Sequence, residues 1–189
     1  MAEKVSEYDV LSETVLWLFK EGYQLVQISP AIRQDLDAGE QRKLIEEKLA
    51  SIGLTLSGVS WNSQGPDIVA KNEKRIWKVE CKGLGEGKQS TLRNNFDRAL
   101  ASVVSYYDDS ENNELHLALA IPYNQDYNWQ IINRVRKPLR MRLNLWILLY
   151  FSQARIIVPF SPDSEISDQS ILVSFGEAML KKRQSEQIT

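Results

Sequence analysis

The sequence predicts a mixed α/β domain built around a central sheet. Segments with apolar residues at helical spacing interleave with segments that alternate or run apolar over strand length. No linker, repeat or low-complexity tract divides the chain, and 189 residues suit one domain with a single sizeable core.

Between residues 5 and 20, Val10, Leu11, Val15, Leu16, Leu18 and Phe19 recur at helical spacing, and Gly22 closes the helix. Residues 23–28 alternate as a strand that Pro30 breaks. A second helix is expected over about residues 38–51, with Leu44, Ile45 and Leu49 on its buried side and Gly53 at its end. Residues 54–60 alternate again as a strand and lead into the polar turn Asn62-Ser63-Gln64-Gly65. Residues 68–70 and 75–82 read as a β-hairpin around Lys71-Asn72-Glu73-Lys74. Gly83, Gly85 and Gly87 then make a loop. A helix over about residues 91–107 follows, turning Leu92, Phe96, Leu100, Val103 and Tyr107 to the core. A strand over 115–121, a helix over about 127–136, strands over 143–150 and 156–158, and a last helix over about 175–182 complete the order.

Hydrophobic residues make up 43% and charged residues 25%, an ordinary globular balance that excludes a disordered chain. The longest apolar run, residues 143–151 broken by Asn144, is strand-sized, so no membrane partner is expected. The first residues are acidic and lack the basic and apolar regions of a signal peptide, which makes a cytoplasmic location the expectation. One cysteine, Cys81, excludes an internal disulfide framework or a Cys-rich zinc site. One histidine, His116, excludes schemes that need two imidazoles. A net charge of −2 argues mildly against an undiscriminating nucleic-acid binder, although acidic ligands can offset a basic groove in the total.

Chemistry concentrates in the hairpin. Strand parity puts Ile76, Lys78, Glu80 and Lys82 on one face and the apolar Trp77, Val79 and Cys81 on the other. Folding about Asn72–Glu73 would bring Asp67 close to residue 78, a diagonal step from Glu80. Two carboxylates and one ammonium then converge. Phosphodiester hydrolysis needs such a cluster, because the anionic substrate repels an incoming hydroxide. Two carboxylates can hold Mg²⁺ (or Mn²⁺) through oxygen, and the metal activates water. Lys82 would orient or help deprotonate that water and stabilise charge on the phosphorane. Cys81 faces the core as a small hydrophobe.

Gly65-Pro66-Asp67-Ile68-Val69-Ala70, followed by Lys78-Val79-Glu80-Cys81-Lys82-Gly83, resembles the signature of the PD-(D/E)XK nuclease superfamily, which includes restriction endonucleases and archaeal Holliday-junction resolvases. The resemblance implies a restriction endonuclease-like fold: a mixed central β-sheet flanked by helices in αβββαβ order. It spans about residues 8–121, with a helical insertion after the first strand and C-terminal additions over about 122–189, all within one domain. It further implies Asp67, Glu80 and Lys82 as the catalytic set, with Asp67 and Glu80 as metal ligands. A glutamate on the first helix would join the metal, Glu13 being the better placed and Glu7 the alternative. A polar residue on the helix after the lysine strand, Asn95 or Arg98, would complete the site.

Lys88, Arg93 and Arg98 lie nearest the hairpin and are the expected contacts to the scissile strand. Arg134, Arg136, Lys137 and Arg140, with Arg142 beyond, form a basic stretch with no acid among residues 127–143. It is either a second phosphate-contacting patch or a solvated helix end. Trp17, Trp77 and Trp146 belong to the core, while Trp61 and Trp129 border polar segments and stay open to a stacking role. His116 reads as a structural histidine. The expected activity is therefore a Mg²⁺-dependent endonuclease acting on DNA, with a homodimer suited to cutting both strands. Its rivals are a nuclease acting on RNA or damaged DNA, and a nuclease-like domain that binds nucleic acid or supports assembly without cleaving.

Overall fold

The computed structural model describes residues 5–30, 38–51, 53, 55–62, 64–84, 89–108 and 115–186. These form a mixed seven-stranded sheet with six helices, in the order α1 (Glu7–Lys20), β1 (Gln24–Ile28), α2 (Ala38–Ala50), β2 (Ser60–Trp61), β3 (Ile68–Lys71), β4 (Ile76–Cys81), α3 (Gln89–Ser105), β5 (Leu115–Pro122), α4 (Gln125–Arg134), α5 (Lys137–Leu143), β6 (Leu145–Phe151), β7 (Ile156–Phe160) and α6 (Asp168–Glu186). The strand order is β2-β1-β3-β4-β5-β6-β7. β3 runs antiparallel to β1 and β4, β4-β5-β6 are parallel, and β7 returns antiparallel to β6. Among the described residues no helix is long and apolar enough to cross a membrane.

α1 begins in a reciprocal cap: the Asp9 amide donates to Ser6 Oγ at 3.1 Å, and the Ser6 amide donates to Asp9 Oδ2 at 2.9 Å. Its Val10, Leu11, Val15 and Leu18 are buried, whereas Phe19 is exposed. Trp77 of β4 points to the α1 side, ringed by Trp17, Tyr23, His116 and Trp146 at centroid distances of 5.5, 5.8, 4.8 and 5.1 Å. α3 covers the opposite face of β4, where Lys78 and Glu80 reach Tyr106. β5 is buried along its whole length, which explains its unbroken apolar sequence.

Several elements depart from the periodicity. Of the described residues in the strand expected over 54–60, only Ser60 pairs. A Val59 N–H bond to the Leu56 carbonyl and a positive φ of 85° at Gly58 make residues 56–59 a turn. The helix expected to run to Arg136 stops at Arg134, and Pro138 opens a separate helix, α5, that ends at left-handed Asn144. α6 starts at Asp168 rather than near residue 175, because Ser167 and Ser170 exchange capping bonds of 2.8 and 3.1 Å. Its exposed Leu172, Val173 and Leu180 blur the apolar stripe that periodicity relies on.

Candidate active site

The β3–β4 hairpin has a four-residue loop, Asn72 to Arg75. Asn72 Oδ1 accepts from the Lys74 and Arg75 amides at 2.9 Å each, and its own N–H donates to the Arg75 carbonyl at 3.0 Å. The pairing is Ile68 with Val79, not the register of a tight turn at Asn72–Glu73. Continued by one pair, it sets Asp67 against Glu80 itself, which corrects the expected alignment with residue 78. Asp67 Oδ2 accepts the Cys81 N–H at 2.6 Å, pinning the aspartate to the far end of β4.

Lys82 extends β4 by one bond, its N–H donating to the Ala120 carbonyl at 2.9 Å. Its ammonium lies 3.0 Å from Glu7 Oε2 and 3.9 Å from Glu80 Oε1. Glu7 arrives through a close backbone crossing at Gly83. A Cβ there would stand 2.5 Å from the Glu7 nitrogen and 2.7 Å from both the Ser6 carbonyl carbon and the Val5 oxygen. The Leu84 amide fixes the crossing by donating to the Val5 oxygen at 2.8 Å.

Glu13 is elsewhere. Lys48 of α2 holds its Oε1 at 2.8 Å and Ser12 Oγ at 2.8 Å, beside a small polar cavity that Asp9 and Arg155 also line. Glu13 lies on the stretch of α1 that packs against α2, whereas the helix's first turn crosses β4 at Gly83; Glu7 therefore replaces Glu13 beside Lys82.

Tyr106, just past α3, joins the site although no sequence motif marks it. Its hydroxyl donates to Glu80 Oε2 at 2.7 Å and lies 3.2 Å from the Gly65 carbonyl. The buried series Leu92, Phe96, Ala99 and Val103 steps by four and three residues, and its next member is Tyr106 rather than the exposed Tyr107. Asn95 is half-buried and Arg98 exposed.

Burial and crowding of like charge shape the electrostatics. Burial, then the neighbouring Glu80 and Glu7, hold the Asp67 carboxyl well above the usual range, against the opposing Cys81 amide and Lys82. Burial raises Glu80 as well, while the Tyr106 bond and Lys82 oppose the rise. Burial alone would lower Lys82, but Glu7, Glu80 and Asp67 together raise it, so it stays an ammonium. Burial and then the Glu80 bond push the Tyr106 phenol up, which keeps it a donor.

This is a concentration of acids, Glu80 buried and Asp67 and Glu7 half-buried, short of positive charge, and by donor chemistry it suits a hard divalent cation. One oxygen of each acid is engaged in a short bond: Glu7 with Lys82, Asp67 with Cys81, Glu80 with Tyr106. As the side chains stand, no three His, Cys, Asp or Glu among the described residues form a group that could hold a metal ion.

The basic residues divide. Arg93 and Arg98 are exposed on α3, and Lys88 lies outside the described residues. Arg134 is held by Asp97 at 2.6 Å, and Lys137 by Glu165 at 2.8 Å. Arg140 is only 2% exposed and donates to the carbonyls of Val135 (2.8 Å) and Ser164, so it is structural rather than a phosphate contact. Arg136 remains exposed. His116 stacks on Trp146, and burial lowers it to about 4; its Nδ1 finds no hydrogen-bond partner among the described residues.

Comparison with protein-family models, with curated proteins and with solved structures finds no match for this chain. The site must therefore be read from its own geometry.

Proposed function

We propose that this chain is a metal-dependent endonuclease of restriction-endonuclease-like arrangement that hydrolyses phosphodiester bonds in DNA. The observation that carries the reading is the gathering of Asp67, Glu80 and Glu7 around the Lys82 ammonium at one end of β4. The order α1, β1, β3, β4, α3, β5, with an antiparallel β1-β3-β4 meander and a parallel β5, supports it. Asp67, Glu80 and Glu7 would hold Mg²⁺ or Mn²⁺, which supplies Lewis acidity and lowers the pKa of water.

The chain's own groups do the rest. Lys82 stays protonated, so its part is to orient the attacking water and balance charge on the phosphoryl oxygens, not to remove a proton. Tyr106 fixes the Glu80 carboxylate, and the Cys81 amide fixes that of Asp67. The free energy that favours a proton on Asp67 also favours a cation there, so cation binding displaces protons and strengthens with pH.

A second reading, a nuclease-like domain that binds nucleic acid without cutting it, draws on the Glu7–Lys82 ion pair and on the lack of a ready three-acid group among the described residues. The test is incubation with supercoiled, linear and branched DNA in Mg²⁺, Mn²⁺ or chelator, beside Asp67→Ala and Lys82→Ala. Cation-dependent cleavage lost in both variants supports the enzyme. Binding with no cleavage in either metal supports the second reading.

A further inference from the structure

A second concave feature takes no part in the carboxylate–lysine cluster. Between α3 and α4 is a cavity of about 620 Å³, lined by Ser90, Arg93, Gln125, Asp126, Trp129 and Gln130. Its volume falls in the range of small-molecule sites. Trp129 is 57% exposed at its wall, whereas Trp77 is buried and Trp17, Trp61 and Trp146 are half-buried against the rest of the fold. An indole left open beside a guanidinium, two amides and one carboxylate has the elements that recognise a nucleotide: a flat face for the base, a cation for the phosphate, and hydrogen-bonding groups for the base edge.

The position of the cavity matters as much as its lining. Tyr127, between the lining residues Asp126 and Trp129, donates its hydroxyl to the Gly83 carbonyl at 3.0 Å, and Gly83 follows Lys82 directly. Its ring also packs on Phe96 of α3 at 6.0 Å, which fixes the spacing of the two helices. The α4 wall of the cavity is therefore tied through Tyr127 to the backbone that follows the lysine.

We propose that this cavity receives one unpaired nucleotide of the DNA substrate, its base stacked on Trp129 and its phosphate drawn to Arg93. The proposal rests on the nuclease-like reading for the identity of the strand. It narrows the substrate class to DNA with an unstacked base, such as a bulge, flap or single strand.

The test uses the full chain in chelator with two duplexes of one sequence, one fully paired and one with a single unpaired 2-aminopurine. Stacking on the indole should quench the unpaired probe, and that duplex should bind about tenfold more tightly than its paired counterpart. Trp129→Ala should remove both the quenching and the preference, Trp129→Phe should restore part of each, and Arg93→Gln should weaken binding with a shallower salt dependence. Equal affinity for the two duplexes, or quenching that survives in Trp129→Ala, overturns the proposal. Cleavage in Mg²⁺ is scored separately. Cleavage with no Trp129 dependence of binding refutes the cavity's role and leaves the nuclease reading standing. Trp129-dependent binding without cleavage does the reverse.

Discussion

Gly83→Ala isolates the contact on which the site depends. Gly83 has no positive φ, so alanine adds no backbone strain, and the whole effect comes from the new methyl group. That methyl would meet three backbone atoms of residues 5–7, the nearest at 2.5 Å, where ordinary contact begins near 3.4 Å. The start of α1 must therefore retreat by about 0.9 Å. Overpacking of this kind costs about 1–3 kcal/mol, and weakening the Leu84–Val5 backbone bond adds about 1 kcal/mol. Urea unfolding should thus show a loss of about 2–4 kcal/mol. Glu7 should also uncouple from Lys82. Glu7→Gln should cost about 1–2 kcal/mol in the parent and close to nothing in the Gly83→Ala background. A Gly83→Ala protein within about 0.5 kcal/mol of the parent, with the Glu7→Gln cost unchanged, would refute the close-crossing argument.

The raised Asp67 and Glu80 carboxyls mean that the native state binds more protons than the unfolded chain above ordinary carboxylate pKa values. In chelator, stability from these groups should be full below those values and fall as pH climbs through the raised native ones. Urea midpoints measured between about pH 5 and about pH 8 should show this decline, and Asp67→Asn should flatten it. In Mg²⁺ the trend should reverse, and no metal-dependent change in slope would count against a cation site. Tyr106→Phe removes a bond that holds Glu80 down, so the acidic limb of any pH–rate profile should move to higher pH, with about 1–2 kcal/mol lost in urea. An unmoved limb would show that Glu80 does not titrate in the profile. Arg140→Ala should cost about 2–4 kcal/mol by stranding the Val135 and Ser164 carbonyls. Arg136→Ala should leave stability within about 0.5 kcal/mol and lower the salt slope of DNA binding by about one, and equal stability losses in the two would sink the distinction.

The sequence was most informative where side-chain parity or step length decides the outcome. Alternation along residues 76–82 separates Glu80 and Lys82 from Trp77, Val79 and Cys81, and Trp77 packs toward α1 while Glu80, also buried, meets Tyr106 beyond α3. It failed where a single loop residue sets register: Asn72 closes a four-residue turn rather than a two-residue one, and that moves Asp67 from residue 78 to Glu80. The resemblance to the nuclease signature favours Glu13 over Glu7, because a motif carries no information on where a helix crosses its neighbour. That crossing is written in Gly83, through a side chain that is absent. Arg140 counted as one of five nearby cations, although only tertiary packing reveals that α5 buries it.

The two margins of the sheet differ in a way that bears on assembly. β2 offers only Ser60 and Trp61 as an outer strand, and β7 carries exposed Pro159 in mid-strand, where an amide donor would otherwise stand. Among the described residues, neither margin gives an incoming strand a continuous outer ladder to join. Edge-to-edge pairing of copies into one extended sheet is thereby disfavoured.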